Sequence, residues 1–539
     1  MSPPPVSPTS PRPAPTSPDL LGLAPVPTLL ARLRVEMAAS FVPGKSVRVS
    51  RAPGRLDVMG GIADYTGSLV CESTLDRAAA VAVQSREDRQ IQVFSFNLLD
   101  DHRPFTLMLS MEHLATSSIA DLRRAFGDRG RRWAGYLAGC LAILHDEKLL
   151  DLADPKVKGV NIALYSDVPL GAGVSSSAAI EVATMMNLVD HYGVGAVAAG
   201  VNPRENDATL DGSRSRVVSA RVDTRDHDLS ASTSRQGLTP MRVAAMCQRV
   251  ENEIVGAPCG IMDQAASTAG EAGALMRLVC QPHELQAPLL LPDGIRAIGI
   301  NSNVKHSVGG GQYGRTRCAA FMGHKIIVDK MRQMGAQSGR EMVADPMNGY
   351  LANLDLNDYK KFFRPYLPET IKGGQFLLQY GPSIDRATSV EPDTQYHVQS
   401  ATDHHVFEAH RVREFVRYLE EAARLDTADA GRKLLLDKAG HLMYASHISY
   451  TKDARLGADE CDVLVDLVRR RESAGLYGAK ITGGGSGGTV AVLCDISPSA
   501  DAAIDEILAE YESKTGRKAD AFVTSSPGAW AVGTASFIM

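Results

Sequence analysis

A chain of 539 residues that is 44% hydrophobic can bury two or more cores, so a multi-domain protein is the first expectation. Its formal charge of −5 speaks against a nucleic-acid binder, and no apolar run approaches the ~20 residues that cross a bilayer. No leader with a basic and then an apolar region opens the chain, and the eight cysteines are scattered without a Cys-x-x-Cys pair, so a reducing, cytoplasmic location is expected.

Residues 1–19 are rich in Pro and Ser with almost nothing to bury, so a disordered tail is expected there and folded sequence from Leu20. Val47 and Val49, then Ile91, Val93 and Phe94, then Val160, Ile162 and Leu164 alternate with polar neighbours in the manner of strands. Strand-like and helix-like segments follow one another irregularly, with too few βαβ repeats for a doubly wound sheet. The expected class is therefore α+β. After the first strand, residues 51–67 hold two arginines, two aspartates and four glycines. Core building does not call for that density of charge beside permissive backbone.

Pro169-Leu170-Gly171-Ala172-Gly173-Val174-Ser175-Ser176-Ser177 follows the strand around Ile162 and opens a helix expected to run to about Tyr192, with Gly193 as its cap. Small residues let an anion approach the backbone, the first-turn N–H groups lack partners, and the helix dipole favours negative charge there. Hydroxyls at Ser175, Ser176 and Ser177 add phosphate bonds or a magnesium ligand. No Lys follows the glycines, so this is not a Walker A loop. The plain alternative is a tight strand–helix turn, for which three serines are poor material.

Residues 202–236 are polar, mixed in charge and aperiodic, and are expected to be a solvated insertion rather than a binding element. Thr239 and Pro240 then form a good N-cap and first-turn pair for a helix through Cys247 toward Glu251. Pro258 and Gly260 break the chain, so Asp263 falls near a helix start. Alone it reads first as a helix-start acid and second as a proton acceptor. Glu251, His306 and His447 are each uninformative alone, and residues 385–403 form a second irregular stretch. Lys480-Ile481-Thr482-Gly483-Gly484-Gly485-Ser486-Gly487-Gly488-Thr489 places five glycines in six positions before the strand around Val490. Ordering them is costly, so either a ligand or another backbone comes close, or the loop is a flexible tip.

The order of these elements is more specific than any one of them. From about residue 29 to 539 the chain resembles the GHMP small-molecule kinases, and within them the galactokinase-like sugar kinases. Three motifs carry the resemblance: residues 51–67, 169–179 and 480–488. Asn301-Ser302-Asn303-Val304-Lys305-His306-Ser307 with Tyr313 is similar to the sugar-side segment. The runs 51–70, 250–264 and 306–323, with Leu442-Met443-Tyr444, look like those of plant-type L-arabinokinases.

The resemblance implies an ATP- and Mg²⁺-dependent enzyme with an N-terminal domain over 20–298, a C-terminal domain over 299–539, and the active site between the lobes. It implies Asp263 as catalytic base and Arg55 as the cation steadying the transferred phosphoryl group. Residues 171–177 match the ATP phosphate loop, and Gly483, Gly484 and Gly485 the glycine turn that supports it. Ser177 (with Ser176 the alternative) and Glu251 match the magnesium ligands, and Asp64 and Tyr313 match sugar contacts. The partners implied are a small sugar and ATP, without nucleic acid or membrane; oligomeric state stays open.

Galactokinases carry Gly-Glu-His-Thr-Asp-Tyr where this chain has Gly60-Gly61-Ile62-Ala63-Asp64-Tyr65. The Glu and His that hold the hexose hydroxymethyl are thus Gly61 and Ile62. L-Arabinopyranose is the galactopyranose framework without that group, and a site lacking both partners leaves a galactose O6 unpaired. The expected reaction is phosphorylation of a pentose at its anomeric hydroxyl, L-arabinose to L-arabinose 1-phosphate. Galactose or another sugar is the alternative substrate. A catalytically silent sugar sensor is the rival from another class, opposed by the presence of both Arg55 and Asp263.

Overall fold

The computed structural model describes residues 20–128, 130–194, 237–305, 311–338 and 345–539. The expected tail (1–19), the insertion (202–236) and His306 lie outside the described residues.

The larger sheet is built from β1 (Ser46–Met59), β2 (Leu69–Ser85), β3 (Gln90–Ser95), β4 (Thr106–Ser110), β5 (Val160–Ser166), β6 (Ala274–Val279) and the two-residue β7 (Glu284–Leu285) and β8 (Leu289–Leu290). The expected strands at Val47, Ile91 and Ile162 are β1, β3 and β5. A smaller sheet starts with β9 (Ile295–Asn301), and a two-residue pair, β10 (Ile371–Lys372) with β11 (Gln395–Tyr396), stands apart. β12 (Leu476–Ile481), β13 (Thr489–Asp495) and β14 (Asp520–Phe522) complete the small sheet in the order β12-β13-β9-β14. The last strand, β15 (Thr534–Ile538), returns to the large sheet, whose order is β15-β1-β2-β5-β3-β4 with β6 on the first half of β2. Mixed helix and sheet in two layers of this kind is the α+β class.

The pairing divides the chain differently from a boundary at 298/299. That boundary cuts β9, all seven residues of which pair with β13. β15, at the far end of the chain, pairs with β1. We place the division near residue 294, with the final strand assigned to the N-terminal lobe.

Two features of this frame position chemistry. β1 pairs antiparallel with β2, and its register shifts between Pro53 and Arg55 and again between Asp57 and Met59. Such irregularities re-aim side chains, and here they bracket Arg55 and Asp57. The helix Pro240–Arg249 starts as expected, with the Thr239 hydroxyl accepting from Arg242 N at 3.2 Å and Pro240 in the first turn. It runs on as a π-helical turn, Val250–Val255, that carries Glu251. Turns of that kind recur at functional sites.

The irregular stretch expected over 385–403 holds only in its first part, because the helix Val398–Ala422 begins inside it. Its buried apolar residues recur at helical spacing (Val412, Phe415, Val416, Leu419) and share a core with Leu436, Ala439 and Met443 of the helix Ala430–Lys452. Tertiary packing decided what a polar local sequence hid. Among the described residues all eight cysteines are free, and no helix is long and apolar enough to cross a membrane.

Candidate active site

The three motifs converge on one cleft of about 140 Å³ between the two sheets. At its centre Arg55 donates to a single oxygen of Asp263, from Nε at 2.9 Å and from Nη2 at 2.7 Å. Its Nη1 donates to the Gly173 carbonyl at 2.7 Å, and the backbone N of Arg55 donates to Val174 O at 3.2 Å. One residue of β1 therefore ties the acid near the start of the helix Met262–Ala269 to the phosphate-loop candidate. Burial disfavours the Arg55 cation, but Asp263, Glu72 and Asp57 around it outweigh that and raise its pKa above the ordinary value. Glu72, from β2, lies 3.3 Å from Arg55 Nε and is fully buried. Burial and then Asp57 push its carboxyl well above the usual carboxylate range, against the pull of Arg55.

In the phosphate-loop candidate the residues alternate between facing the cleft and holding the loop. Gly171, Gly173, Ser175, Ser176 and Ser177 line the cleft. Pro169, Ala172 and Val174 do not: Ala172 and Val174 are buried, and Ala172 O accepts from Thr489 Oγ1 at 2.8 Å. The helix Ser176–His191 opens with Ser175 in left-handed geometry (φ 59°) and without a side-chain cap. The Ser175 hydroxyl is a buried polar atom with no hydrogen-bond partner. An uncapped helix start with a buried, unpartnered hydroxyl suits an incoming anion.

The glycine loop behaves similarly. Gly484 lines the cleft, whereas Gly483 and Gly485 brace it. Gly483 N donates to Asp57 Oδ2 at 3.1 Å, and Gly483 O accepts from Tyr450 Oη at 2.8 Å. A side chain at Gly485 would run into the carbonyl of Leu456. Beneath the loop Lys480 Nζ meets Asp57 Oδ2 at 2.6 Å, with both side chains wholly buried. Asp57 also takes Gly61 N on its other oxygen at 3.0 Å. This ion pair joins the first motif to the last.

On the far side of Asp263, Asp64 lines the cleft beside Ile62 and Tyr313. Its carboxylate is packed so closely on Gly260 that no side chain fits there, which explains the glycine between Cys259 and Ile261. Burial and then the Asp263 charge raise Asp64 to about 7, while Arg317 pulls it down. Arg317 itself is held bidentately by Asp385 at 2.9 Å on both oxygens, and its guanidinium lies over the Tyr65 ring at 4.7 Å. Tyr65 Oη meets His405 Nε2 at 3.0 Å.

Gly61 does not line the cleft. A Cβ there would collide with the Tyr450 hydroxyl, and its backbone is left-handed (φ +48°). That hydroxyl instead accepts from Ile62 N at 3.0 Å. The missing side chain at Gly61 is thus required by Tyr450, and only Ile62 of the pair lines the cleft. Gly61→Glu is accordingly expected to lower the thermal midpoint, by the several degrees that a 1–3 kcal/mol strain and overpacking cost brings. It is not expected to create a hexose site. A stable Gly61→Glu protein with raised galactose use would overturn this account.

Whether the residues fit a magnesium ion is decided by the donor set. Glu251 is buried. Burial and then Asp263 raise it to about 7, against hydrogen bonds from Ser177, Cys259 and Gln264. Gln264 Nε2 reaches Glu251 at 2.8 Å and Glu181 at 3.2 Å, so one amide bridges two buried acids. Among the described residues no group of three or more His, Cys, Asp or Glu could hold a metal by itself. One carboxylate and one hydroxyl next to a phosphate-loop candidate is nonetheless the way magnesium binds when a nucleotide supplies the remaining oxygens. The carboxylate excess around Arg55 would be relieved by a cation, and the residues fit.

Sequence reasoning did not single out Asp57, Glu72, Glu181, Gln264, Arg317, Asp385, His405, Tyr450 or Lys480. Two of these, Asp57 and Lys480, stand inside the motifs themselves, and Gln264 ends the run 250–264. Arg317 is one helical turn beyond Tyr313, a spacing that puts both on one face. His447 proves a satisfied core histidine, accepting from Ile481 N at 3.3 Å and meeting Asp462 at 3.0 Å.

The family model for the GHMP kinases N terminal domain matches residues 136–200, which hold the phosphate-loop candidate and its helix. The model for GHMP kinases C terminal matches residues 432–513, which hold the glycine loop. With the fold and the cleft, these matches define the class: the chain carries both the N-terminal and the C-terminal domain of the GHMP kinases. An L-arabinokinase of Arabidopsis thaliana is 33% identical over 534 residues, 90% of this chain and 46% of that protein, so the chain spans about half the length of that relative. A galactokinase of Chloroflexus aggregans is 26% identical over 87% of this chain and 89% of its own length. The crystal structure of Lactococcus lactis galactokinase complexed with galactose matches with a TM-score of 0.63 at 18% identity, covering 95% of this chain and 100% of that one, which is a likeness of fold.

Proposed function

We propose that the chain is an ATP-dependent sugar-1-kinase that phosphorylates the anomeric hydroxyl of a pentose, with L-arabinose as substrate and L-arabinose 1-phosphate as product. The observation that carries this reading is the Arg55–Asp263 pair lying between the serine-lined phosphate loop and the Asp64 side of the cleft. Asp263 takes the proton of the anomeric hydroxyl as that oxygen attacks the γ-phosphorus and ADP departs. Arg55 stays against the transferring phosphoryl group, where fixed positive charge matters most. The N–H groups and hydroxyls from Gly171 to Ser177 receive the nucleotide phosphates, and Gly483 to Gly485 keep that loop in place. A magnesium ion held by Ser177 and Glu251 would neutralise phosphate charge. Asp64 and Tyr313 orient the sugar.

Substrate choice rests on Ile62 and on the kinship with L-arabinokinase. An apolar group facing a ring CH₂ gives no partner to a hydroxymethyl, yet an apolar pocket rejects an added hydroxyl by only about 10²-fold. D-Galactose is therefore expected as a poor but measurable substrate, about 10–100-fold below L-arabinose in kcat/KM. ADP release measured with L-arabinose, D-galactose, D-arabinose and L-fucose tests this. Galactose turnover equal to or above that of L-arabinose overturns the pentose assignment. Nucleotide binding without turnover of any sugar points to the sensor.

The position of Asp64 adds a pH dependence. With its pKa raised to about 7, it carries its proton below that pH and is ionised above it. An ionised carboxylate is the stronger acceptor for sugar hydroxyls, so sugar KM is expected to fall as pH rises from 6 to 8. The stability sign is opposite. A raised acid favours the ligand-free fold at low pH, and this contribution is lost as pH climbs through about 7. Removing the Asp263 charge moves the Asp64 midpoint down, visible as a downward shift of the sugar-binding pH profile in Asp263→Asn. A flat binding profile from pH 6 to 8 would contradict the assignment of Asp64 to sugar recognition.

A further inference from the structure

A second cavity, of about 290 Å³, lies apart from the cleft and shares no lining residue with it. Three helix ends and the strand β11 build it. Gln312, Arg315 and Thr316 come from the first turns of the helix Gln312–Gln337. His397 immediately precedes the 25-residue helix Val398–Ala422. Asp453 and Arg455 follow the helix Ala430–Lys452.

Two arginines of this lining lack the carboxylate partners that several others in the lobe have. Arg364 is paired with Asp403, Arg417 with Glu414 and Glu421, and Arg471 with Glu506 and Glu510. Arg315 and Arg455 have no ion-pair partner among the described residues. The one acid among the described lining residues, Asp453, accepts from Ser449 Oγ at 2.7 Å and is outside ion-pair distance of either arginine. The unneutralised field is felt nearby: burial and then Arg455 lower the pKa of His397. His397 also leaves its helix start without a side-chain cap, which adds the positive end of a long dipole to the same space.

We infer that this cavity binds a small phosphate monoester, with Arg315 and Arg455 taking the dianion and Gln312 a neighbouring hydroxyl. Two guanidinium forks match the oxygens of a tetrahedral dianion better than those of a halide or a lone carboxylate. The cavity, about 290 Å³ against about 140 Å³ for the cleft, has room for a monosaccharide phosphate. The wiring places the occupant next to the cleft machinery. Thr316 Oγ1 donates to Ala454 O at 2.7 Å, joining two of the walls, and Leu456 O accepts from Ser486 N of the glycine loop at 2.6 Å. Tyr313 and Arg317, in the same helical turns as Arg315, serve the sugar side. The inference stands on this second cavity and is independent of which sugar the cleft accepts.

The test is calorimetric titration of the full chain with D-ribose 5-phosphate and with inorganic phosphate, with and without saturating Mg-ADP. Binding of ribose 5-phosphate is expected to persist with Mg-ADP present and to weaken by about tenfold or more in Arg315→Gln/Arg455→Gln. Inorganic phosphate is expected to compete. Both arginines are exposed, so the variant keeps its fold, checked by its thermal midpoint. Arg315→Lys/Arg455→Lys, which keeps charge but loses the fork, should bind with intermediate affinity. Equal binding by the Gln variant, complete displacement by Mg-ADP, or no binding to the wild-type chain would each overturn the proposal. Failure of the kinase reading itself would appear separately, as absence of ADP binding, and leaves the comparison of arginine variants intact.

Discussion

Asp263→Asn is expected to bind ATP and sugar yet turn over about 10²–10⁴-fold more slowly, the range that a positioned general base contributes. The amide is the informative substitution because its carbonyl still accepts the two N–H donations that Arg55 now makes to one Asp263 oxygen. Geometry and packing are kept and only the proton acceptor is lost. Asp263→Ala would be ambiguous: it removes both hydrogen bonds to Asp263 from a buried guanidinium and leaves Glu72 as its ion-pair partner, so its activity loss would mix chemistry with a displaced Arg55. The measurements are kcat from ADP release, nucleotide and sugar affinities from titration, and the thermal midpoint. Turnover within about tenfold of wild type would remove Asp263 from the role of base. A fall in nucleotide affinity parallel to kcat would instead mark it as a structural partner of Arg55.

Lys480→Met is expected to cost about 3–5 kcal/mol, the range for breaking a buried ion pair from one side. Both partners of this pair are wholly buried, so water cannot take over for the missing ammonium. Asp57 would lose its ion-pair partner beside Glu72, another buried acid, and keep the hydrogen bonds from the N–H groups of Gly61 and Gly483. Those same two N–H groups set the first motif and the glycine loop, so kcat should fall along with stability. The double variant Asp57→Asn/Lys480→Met removes both charges and should recover part of the stability, because an uncompensated charge rather than the lost attraction dominates the single-variant cost. Urea midpoints of the two single variants and the double variant check this. A Lys480→Met loss below about 1 kcal/mol, the scale of a solvent-exposed pair, would show that the pair is better solvated than its burial indicates.

Much of the candidate site was legible because the chemistry of phosphate handling is local. A strand running into small residues, glycines and serines at a helix start makes an anion site wherever it is found, and residues 169–177 do so here. Asp263 was legible in the same way, as an acid in the first turn of a helix. The loop's inner alternation was not legible. Nothing in the sequence separates Gly173, which faces the cleft, from Ala172 and Val174, which hold it.

The pairing partners were hidden for a different reason. Asp57 and Lys480 are 423 positions apart, and Arg317 and Asp385 are 68 apart. No periodicity or spacing connects such residues, because the contact is made by the sheets and helices that bring them together. Gly61 is the sharpest case. Its sequence neighbours place it in a sugar-binding motif, but the residue that excludes a side chain there is Tyr450, from a helix of the other lobe. The irregular 385–403 stretch taught the same lesson: Asp385 supports Arg317 through a compact turn closed by Thr388, and the helix from Val398 is stabilised by its buried face rather than by its own propensity.

By itself, then, the sequence determined the α+β class, the order of the three motifs, the phosphate-loop candidate and the identities of the central acid and cation. The class and the phosphate-loop candidate follow from short-range rules of helix starts, glycine backbone and strand alternation, whereas the roles of Asp263 and Arg55 were implied by the family resemblance. Only the tertiary structure decided which motif residues face the cleft and which brace it, where the lobes divide, and which buried charges neutralise one another. Burial and pairing are properties of distant segments in contact, and their energies depend on the water that the whole fold excludes.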